Sequence, residues 1–192
     1  KRLTVEVEQL SITGALRLTS PVWGDDRGFF REWLKVPELR SAGIDFSVAQ
    51  ANLSRSTRNV VRGLHFSVAP EGQAKVVTCA GGELVDVLVD VREGSPTFGR
   101  HELVTLRGGD GVSLYLPSGI GHGFCSISDE AVLVYLLSST YSPSQELEIH
   151  PFDSELAIEW PLTGDPIMSS KDSAAPSLAE RRSSGTLPRF GG

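Results

Sequence analysis

The sequence predicts an all-β fold, a β-sandwich or barrel of the jelly-roll type with a few short helices. Glycine and proline, 20 and 11 of the 192 residues, separate a series of short apolar runs, as in proteins built from many strands joined by turns. Several of these runs alternate polar and apolar residues with the period of two that a half-buried strand requires. Helical signals are confined to two short segments, which disfavours a helical architecture.

The expected elements follow from these patterns in chain order. Strands are expected over residues 16–18, 29–34, 46–54, 59–66, 74–80, 82–91, 101–106, 111–116, 131–138 and 156–160. A first helix is expected over 36–42, where Gly43 marks its end. A second helix is expected over 177–184, where Ser177 and Glu180 form a capping-box pair.

Length and charge limit the class of protein and its partners. The 192 residues, without an internal linker or repeat, are expected to form one domain, 1–192. The 18 Lys and Arg against 24 Asp and Glu give a net charge of −6, which disfavours nucleic acid and anionic membrane surfaces as partners. No apolar run reaches the roughly 20 residues of a membrane-spanning helix. Cys79 and Cys125 each stand alone in an apolar stretch, which predicts two buried thiols in a reducing cytoplasm.

The segment from Asn59 to Phe66 holds the first candidate functional groups, Arg62 and His65. On a regular strand Arg62 would share a face with Leu64, and His65 would lie on the opposite face. A lone histidine in an apolar strand is more often a hydrogen-bonded core residue than a functional one. A buried arginine nearby strengthens the functional interpretation, because it requires an anionic partner such as phosphate.

A second motif, Pro-Ser-Gly-Ile-Gly-His at 117–122, matches half of the pattern of metal-binding cupins. The other half requires a His-x-His pair and a glutamate upstream, where this chain has only His65. A metal site is therefore weakly supported. The plain alternative is a glycine-rich turn that buries His122 through a hydrogen bond.

Three further segments carry polar groups. Tyr135 lies in the middle of an apolar strand, so that its hydroxyl requires a partner unless the ring is simple core packing. The segment 168–172 is a polar loop, and 24–32 is a turn with Arg27 that opens a strand. A dinucleotide fingerprint, a phosphate-binding P-loop and a serine nucleophile motif are absent.

In their order and spacing, these motifs resemble the dTDP-4-dehydrorhamnose 3,5-epimerase family of sugar-nucleotide epimerases. The segments that carry the resemblance are 26–30, 50–54, 61–66, 86–92, 94–99, 121–124, 158–161 and 170–172. The most specific are Arg-Gly-Leu-His at 62–65 and Gly-Ser-Pro-Thr-Phe-Gly at 94–99. The resemblance implies a cupin-type jelly roll without metal or cofactor, and a homodimer whose subunits exchange N-terminal strands. The implied substrate is a dTDP-4-keto-6-deoxyhexose, which is inverted at C3, at C5 or at both.

The resemblance also implies roles for individual residues. His65 matches the base that removes the proton beside the ketone, and Asp172 matches the carboxylate that orients it. Tyr135 matches the acid on the opposite face, and Lys75 matches a lysine near the ketone oxygen. The positions that match nucleotide or diphosphate contacts are Arg27, Arg62, His122 and Lys171. Other expected substrate contacts are Glu32, Gln50, Asn52 and Glu146, with Phe29 and Tyr141 as stacking partners.

Three departures from the family pattern keep the stereochemical outcome open. The segment 119–122 reads Gly-Ile-Gly-His where the usual sequence is Gly-Phe-Ala-His. Ser67 stands where many members have glutamine, and Thr140 stands where many have a second tyrosine before the proline. These features resemble the branch that makes deoxysugars for antibiotics, in which some members invert only C3. The alternatives are a ketoisomerase that moves the carbonyl between C4 and C3, and a metal cupin or non-catalytic sugar-nucleotide-binding module.

Overall fold

Thirteen strands and three short helices make up the computed structural model, which describes residues 5–191. The strands are β1 (Glu6–Gln9), β2 (Leu16–Thr19), β3 (Trp23–Asp25), β4 (Gly28–Phe30), β5 (Gln50–Thr57), β6 (Val61–Ser67), β7 (Lys75–Gly81), β8 (Glu83–Asp90), β9 (His101–Arg107), β10 (Val112–Leu116), β11 (Ile120–Ser126), β12 (Glu130–Leu137) and β13 (Glu146–Glu148). The helices are α1 (Val36–Ser41), α2 (Ser170–Ser173) and α3 (Leu178–Ser183). No helix in this part of the chain is long and apolar enough to cross a membrane.

Two antiparallel sheets face each other, which confirms the predicted cupin-type jelly roll. The first sheet has six strands in the order β1-β2-β10-β7-β12-β5, and the second has five in the order β13-β6-β11-β8-β9. Strands β3 and β4 form a separate two-stranded hairpin. Since both sheets alternate inward and outward side chains, one face of each lines the interior between them.

Three apolar clusters occupy the two faces of these sheets. The interior cluster lies between the sheets and includes Val77, Leu88, Leu114, Phe124 and Leu133. A second cluster packs the C-terminal segment against the outer face of the five-stranded sheet, and includes Val61, Leu64, Phe66, Ile158 and Trp160. A third packs α1 and its flanking segments on the six-stranded sheet, and includes Leu16, Leu18, Leu39, Phe46 and Val76.

Most predicted elements are confirmed, and three predicted strands are corrected. The strand expected over 46–54 begins only at Gln50. The strand expected over 29–34 ends at Phe30, and the one expected over 156–160 is irregular chain. In the last case Leu156, Ile158 and Trp160 are buried alternately, but Ala157 has a positive φ of 48° and the segment covers the sheet instead of joining it. The alternating apolar residues of this segment therefore predicted which side chains are buried, but they did not predict whether the segment pairs with a strand.

Strand β11 corrects the interpretation of the His122 motif as a turn. Ile120–Ser126 is a fully buried strand at the centre of the five-stranded sheet. Gly123 allows its neighbours to come close, because an added Cβ there would lie 2.7 Å from the carbonyl oxygen of Arg62. Glycine within a strand often marks such a close approach.

A β-bulge in β6 corrects the predicted faces of that strand. His65 pairs with His122 and Arg62 pairs with Phe124, so that three residue steps on β6 match two on β11. Gly63 permits this, with a φ of 113° and a Cα so close to β11 that a Cβ would lie 2.6 Å from Gly123. In consequence Arg62 and His65 both face the interior, whereas a regular strand would separate them.

The Gly-Ser-Pro-Thr-Phe-Gly segment closes a buried polar cluster around Asp90, at the end of β8. Arg92 forms an ion pair with the Asp90 carboxylate at 2.8 Å, and the hydroxyls of Ser95 and Thr97 donate to it at 2.5 and 2.6 Å. Burial would raise the pKa of Asp90, but these partners hold it below its usual value. The structure thus gives this specific motif a stabilising role at the end of the strand.

Candidate active site

A cleft of about 460 Å³ opens between the two sheets, beside the segment 167–172. The cleft brings together most of the predicted site residues, which come from distant parts of the sequence. Those that line it are Asn52, Arg62, His65, Lys75, Tyr135, Tyr141, Glu146, Lys171 and Asp172. The two sheets form opposite walls, and the short helix α2 contributes to the rim.

His65 and Asp172 form a hydrogen-bonded pair at the wall made by the five-stranded sheet. The distance from His65 Nε2 to Asp172 Oδ1 is 2.7 Å. The histidine side chain is 39% exposed, whereas that of the aspartate is only 4% exposed, so the ring is held from the protein side and open to the cleft. The other ring nitrogen, Nδ1, makes no hydrogen bond to any described residue and is available to a ligand.

The local sequence explains how Asp172 reaches this position. Ser169 is the N-cap of α2, and its hydroxyl accepts a hydrogen bond from the Asp172 backbone N–H at 3.0 Å. Burial would raise the pKa of Asp172, but the hydrogen bond and the charge of His65, with the Gly63 N–H, outweigh that effect and hold it below its usual value. Asp172 is therefore a carboxylate near neutral pH and stabilises positive charge on the imidazole ring.

Tyr135 stands on the opposite wall of the cleft. It lies on β12 of the six-stranded sheet, in register with Asn52 on β5, so that both side chains share the inner face. Both residues line the cleft. A ligand in the cleft is thus placed between the phenol of Tyr135 on one side and the imidazole of His65 on the other.

Lys75, the first residue of β7, supplies a buried amine. Its register partner is Leu137, which places it on the same inner face as Tyr135. Burial lowers the pKa of Lys75, and the nearby charges of Glu146 and Asp86 offset part of that effect. When this amine is protonated, it interacts strongly with negative charge that develops on a ligand, because the site is largely desolvated.

His122 lies behind the cleft and is not part of its wall. Its Nε2 is 2.8 Å from Oδ2 of Asp86, and both side chains are buried. The observed contact of His122 is therefore with Asp86, and its direct contact with a substrate stays a prediction. Within residues 5–191, no three or more His, Cys, Asp or Glu side chains are grouped so that they could hold a metal ion.

Two cationic side chains mark the open part of the cleft. Arg62 forms no ion pair with a described residue, and its Nε donates to the Ser56 hydroxyl at 3.1 Å. Lys171, next to Asp172 on α2, forms an ion pair with Glu148 at 3.0 Å. Both side chains line the cleft, so that it offers positive charge to an anion in a chain whose net charge is −6.

The remaining polar residues of the cleft hold one another in place. The amide of Gln73 donates to Glu146 at 2.9 Å, which fixes the carboxylate beside Lys75. The side chain of Gln50 does not line the cleft, but its carbonyl oxygen accepts from the backbone N–H of Tyr141 at 2.9 Å. Gln50 thus fixes the segment that carries a cleft residue.

Three predicted contacts, Arg27, Phe29 and Glu32, do not lie at the cleft. Arg27 pairs with Asp25 within the β3–β4 hairpin, where its side chain is 89% exposed. Phe29 is exposed at the same hairpin, and Glu32 forms an ion pair with Lys35 at 2.6 Å. In a single chain these residues therefore stay apart from His65 and Tyr135.

Sequence reasoning missed two groups that shape the site. Gln73 is buried against Glu146, and no local sequence motif predicts that it belongs to the site. Ser169 was included only in a polar loop, although a serine followed three residues later by an aspartate is a helix-start signal. That signal predicts α2 and hence an ordered position for Asp172.

Known proteins resemble this chain along most of its length. The chain matches the family model described as dTDP-4-dehydrorhamnose 3,5-epimerase over residues 9–180. It is 49% identical to a dTDP-4-dehydrorhamnose 3-epimerase of Streptomyces niveus over 187 residues, 97% of this chain and 90% of that one. It is 43% identical to a dTDP-4-dehydrorhamnose 3,5-epimerase of Mycobacterium tuberculosis, over 97% of this chain and 94% of that one.

A solved structure shows the same similarity in three dimensions. ChmJ, a 3'-monoepimerase from Streptomyces bikiniensis in complex with dTDP-quinovose, superposes with a TM-score of 0.91 and 43% sequence identity. The match covers 95% of this chain and 92% of ChmJ. Sequence and fold therefore agree along nearly the whole length, and the chain belongs to the dTDP-4-dehydrorhamnose 3,5-epimerase family.

Proposed function

We propose that this protein is an epimerase of a dTDP-4-keto-6-deoxyhexose in deoxysugar biosynthesis, and that it inverts C3 beside the ketone. One observation carries the proposal: His65 and Tyr135 face the same cleft from opposite sheets. Inversion requires that a proton leave one face of a carbon and that another arrive on the opposite face. An acid and a base on opposite walls meet this requirement.

The chemistry uses the acidity that the C4 ketone gives to the neighbouring C–H bond. Neutral His65 accepts the C3 proton, the C–H electron pair forms the C3–C4 double bond, and the carbonyl oxygen becomes an enolate. Asp172 stabilises the imidazolium that results, since it is already ionised and hydrogen-bonded to the ring. Tyr135 then donates its phenolic proton to the opposite face of C3, and the ketone re-forms.

Lys75 has the properties required to stabilise the enolate. Its amine is buried in the cleft, with the carboxylates of Glu146 and Asp86 nearby. A fixed cation in a partly desolvated site stabilises an oxyanion more strongly than it would in water. Arg62 and Lys171, at the open part of the same cleft, are the proposed contacts of the diphosphate.

The names of the relatives support the proposal that inversion takes place at C3. The relative from Streptomyces niveus is named a 3-epimerase and ChmJ a 3'-monoepimerase, whereas the Mycobacterium tuberculosis relative is named a 3,5-epimerase. We propose inversion at C3 because the 3-epimerase of Streptomyces niveus is 49% identical to this chain, against 43% for the 3,5-epimerase of Mycobacterium tuberculosis.

Identification of the product tests this function. The purified protein is incubated with dTDP-4-keto-6-deoxyglucose, and the sugar is followed by NMR. We expect a product inverted at C3 that keeps its carbonyl at C4, and added inversion at C5 would identify the double epimerase. Unchanged sugar, or a carbonyl moved to C3 as a ketoisomerase would produce, contradicts the proposal.

We also propose that the protein forms a homodimer through the outer face of the six-stranded sheet and the β3–β4 hairpin. The apolar side chains of Phe29, Phe30 and Leu53 are 54%, 64% and 68% exposed. Phe29 and Val134 line one surface pocket, and Val134 pairs with Leu53 on β5, which is an edge of the sheet formed by residues 5–191. Exposed apolar patches and open edges of this kind are typical of protein interfaces.

The dimer accounts for the hairpin residues that lie away from the cleft. In a pair of subunits that exchange N-terminal strands, Arg27 and Phe29 would reach the cleft of the second copy. We expect light scattering on a sizing column to give twice the mass of the 20.7 kDa chain. A monomer at micromolar concentration would contradict the dimer.

The thiols favour a cytoplasmic location, which we propose on that ground. Cys79 and Cys125 are free and buried in the structure. Burial raises the pKa of Cys125 to about 11, so that the thiol is protonated and unreactive at neutral pH. Fractionation of cells that express the protein tests the location, and recovery outside the cytoplasm would contradict it.

A further inference from the structure

Glu148 lies beside Lys171, one of the cations that line the cleft. No sequence motif assigned Glu148 a function. It is the last residue of β13, and its register partner on β6 is His65. Its side chain is 16% exposed and pairs with two cations. Oε2 lies 3.0 Å from Lys171 Nζ, and Oε1 lies 3.5 Å from the guanidinium of Arg181 on α3.

These contacts place one carboxylate between a cleft residue and the protein behind it. Lys171 lines the cleft and is 53% exposed, while Arg181 is 13% exposed and its Nε donates to the Glu148 carbonyl oxygen at 2.9 Å. Arg181 therefore fixes Glu148, and Glu148 holds Lys171. Glu148 is also the main cause of the raised pKa of Lys171.

We propose that Glu148 competes with the substrate diphosphate for Lys171 and so sets the affinity of the cleft for nucleotides. This inference rests on the proposed function, in which Lys171 contacts the diphosphate. Without a ligand, the carboxylate satisfies the lysine and cancels its charge. A diphosphate that approaches Lys171 meets the negative charge of Glu148 a few ångströms beyond it, which weakens the attraction.

Competition between Glu148 and the diphosphate for Lys171 weakens binding of the nucleotide and also favours its release. In one complex the ammonium must divide its donors between two anions, and a lysine, as a flexible point charge with three donors, allows this exchange. Arg62 differs, because it forms no ion pair with a described residue. Its guanidinium donates hydrogen bonds only to uncharged oxygens, the hydroxyl of Ser56 and the backbone carbonyl of Arg55. At the open part of the cleft, Arg62 is therefore available to the ligand, whereas Lys171 is already paired with Glu148.

The variant Glu148→Gln tests the inference because it removes the charge and keeps the shape. We expect the Kd for dTDP, measured by calorimetry at low salt, to fall by about three- to tenfold. The gain should shrink in 1 M salt, where the screening length is only about 3 Å. The affinity for thymidine, which carries no phosphate, should not change.

Glu155→Gln is the matched control. Glu155 pairs with Arg182, the neighbour of Arg181 on α3, at 2.6 Å on the exposed surface, so its removal should leave dTDP binding unchanged. If Glu148→Gln is not recovered folded, Glu148→Ser removes the same charge and carries the same expectation. A purely structural role for Glu148 would lower the melting temperature and kcat without tightening dTDP binding.

The outcomes separate this inference from the proposed function. A wild-type protein that epimerises the sugar, with a charge-removing variant that binds dTDP no more tightly, overturns the inference and leaves the function intact. A wild-type protein that binds dTDP no better than thymidine overturns both. Tighter binding of dTDP alone, sensitive to salt, supports the inference.

Discussion

Replacement of His65 by alanine is expected to reduce C3 inversion by about 10²- to 10⁴-fold, the usual contribution of a positioned general base. His65 is the only proposed proton acceptor for C3, and the variant leaves Asp172 as a buried carboxylate without its partner. The rate is measured by NMR with saturating 4-keto sugar nucleotide. Exchange of the C3 proton with solvent should fall together with inversion, because both require the enolate.

The control for this prediction is His101→Ala. His101 begins β9 at the far edge of the five-stranded sheet and does not line the cleft, so this variant should keep full activity. Melting temperatures of both variants establish that the chain is folded. Activity of the His65 variant within a few-fold of the unaltered enzyme would contradict its role as the base.

Tyr135→Phe is expected to separate two steps that are coupled in the unaltered enzyme. Inversion should fall by about 10²- to 10⁴-fold because the variant lacks the acid on the wall opposite His65. Proton removal does not require the phenol, so the C3 proton should still exchange with solvent through His65. In deuterated water the recovered substrate should therefore gain deuterium at C3 with its configuration unchanged.

Tyr115→Phe provides the matched control for the second variant. Tyr115 lies on the same sheet, but it packs edge-on against Phe46 in the outer cluster and not in the cleft. This variant should invert C3 normally. Loss of both exchange and inversion in Tyr135→Phe, with the fold intact, would show that the phenol acts in the deprotonation step instead.

The fold class was predictable because turns and alternating strands leave local signals. The helix over 178–183 carries the expected capping box, in which Ser177 and Glu180 bond to each other's backbone N–H groups. Strand β11 was missed because its glycines are typical of turns. In the structure these glycines allow the backbone of a neighbouring strand to come close. That strand is about 60 positions away in sequence, as the pairing of His122 with His65 shows.

The site residues were identified by resemblance, and the sequence alone would not have placed them together. The pair His65–Asp172 joins residues 107 positions apart, and α2 is only four residues long. The bulge at Gly63, which turns Arg62 and His65 to one side, depends on contact with Gly123. Strand periodicity assumes regular pairing, so it assigns these two side chains to opposite faces.

Electrostatics is the part of the site that local sequence describes least. The net charge of −6 disfavours nucleic acid as a partner but does not describe the cleft, which Arg62 and Lys171 both line. The paired state of Lys171 depends on Glu148, 23 residues earlier on another strand. Such pairs are visible only once the strands and the C-terminal helices are packed.

The central claim is that C3 loses a proton to one wall of the cleft and gains another from the opposite wall. The most direct test is the unaltered enzyme in deuterated water, stopped at low conversion, with the product analysed by NMR. We predict that every product molecule inverted at C3 carries deuterium there, because the phenol of Tyr135 takes its proton from solvent. An inverted product that keeps the original hydrogen at C3 would contradict the two-wall mechanism.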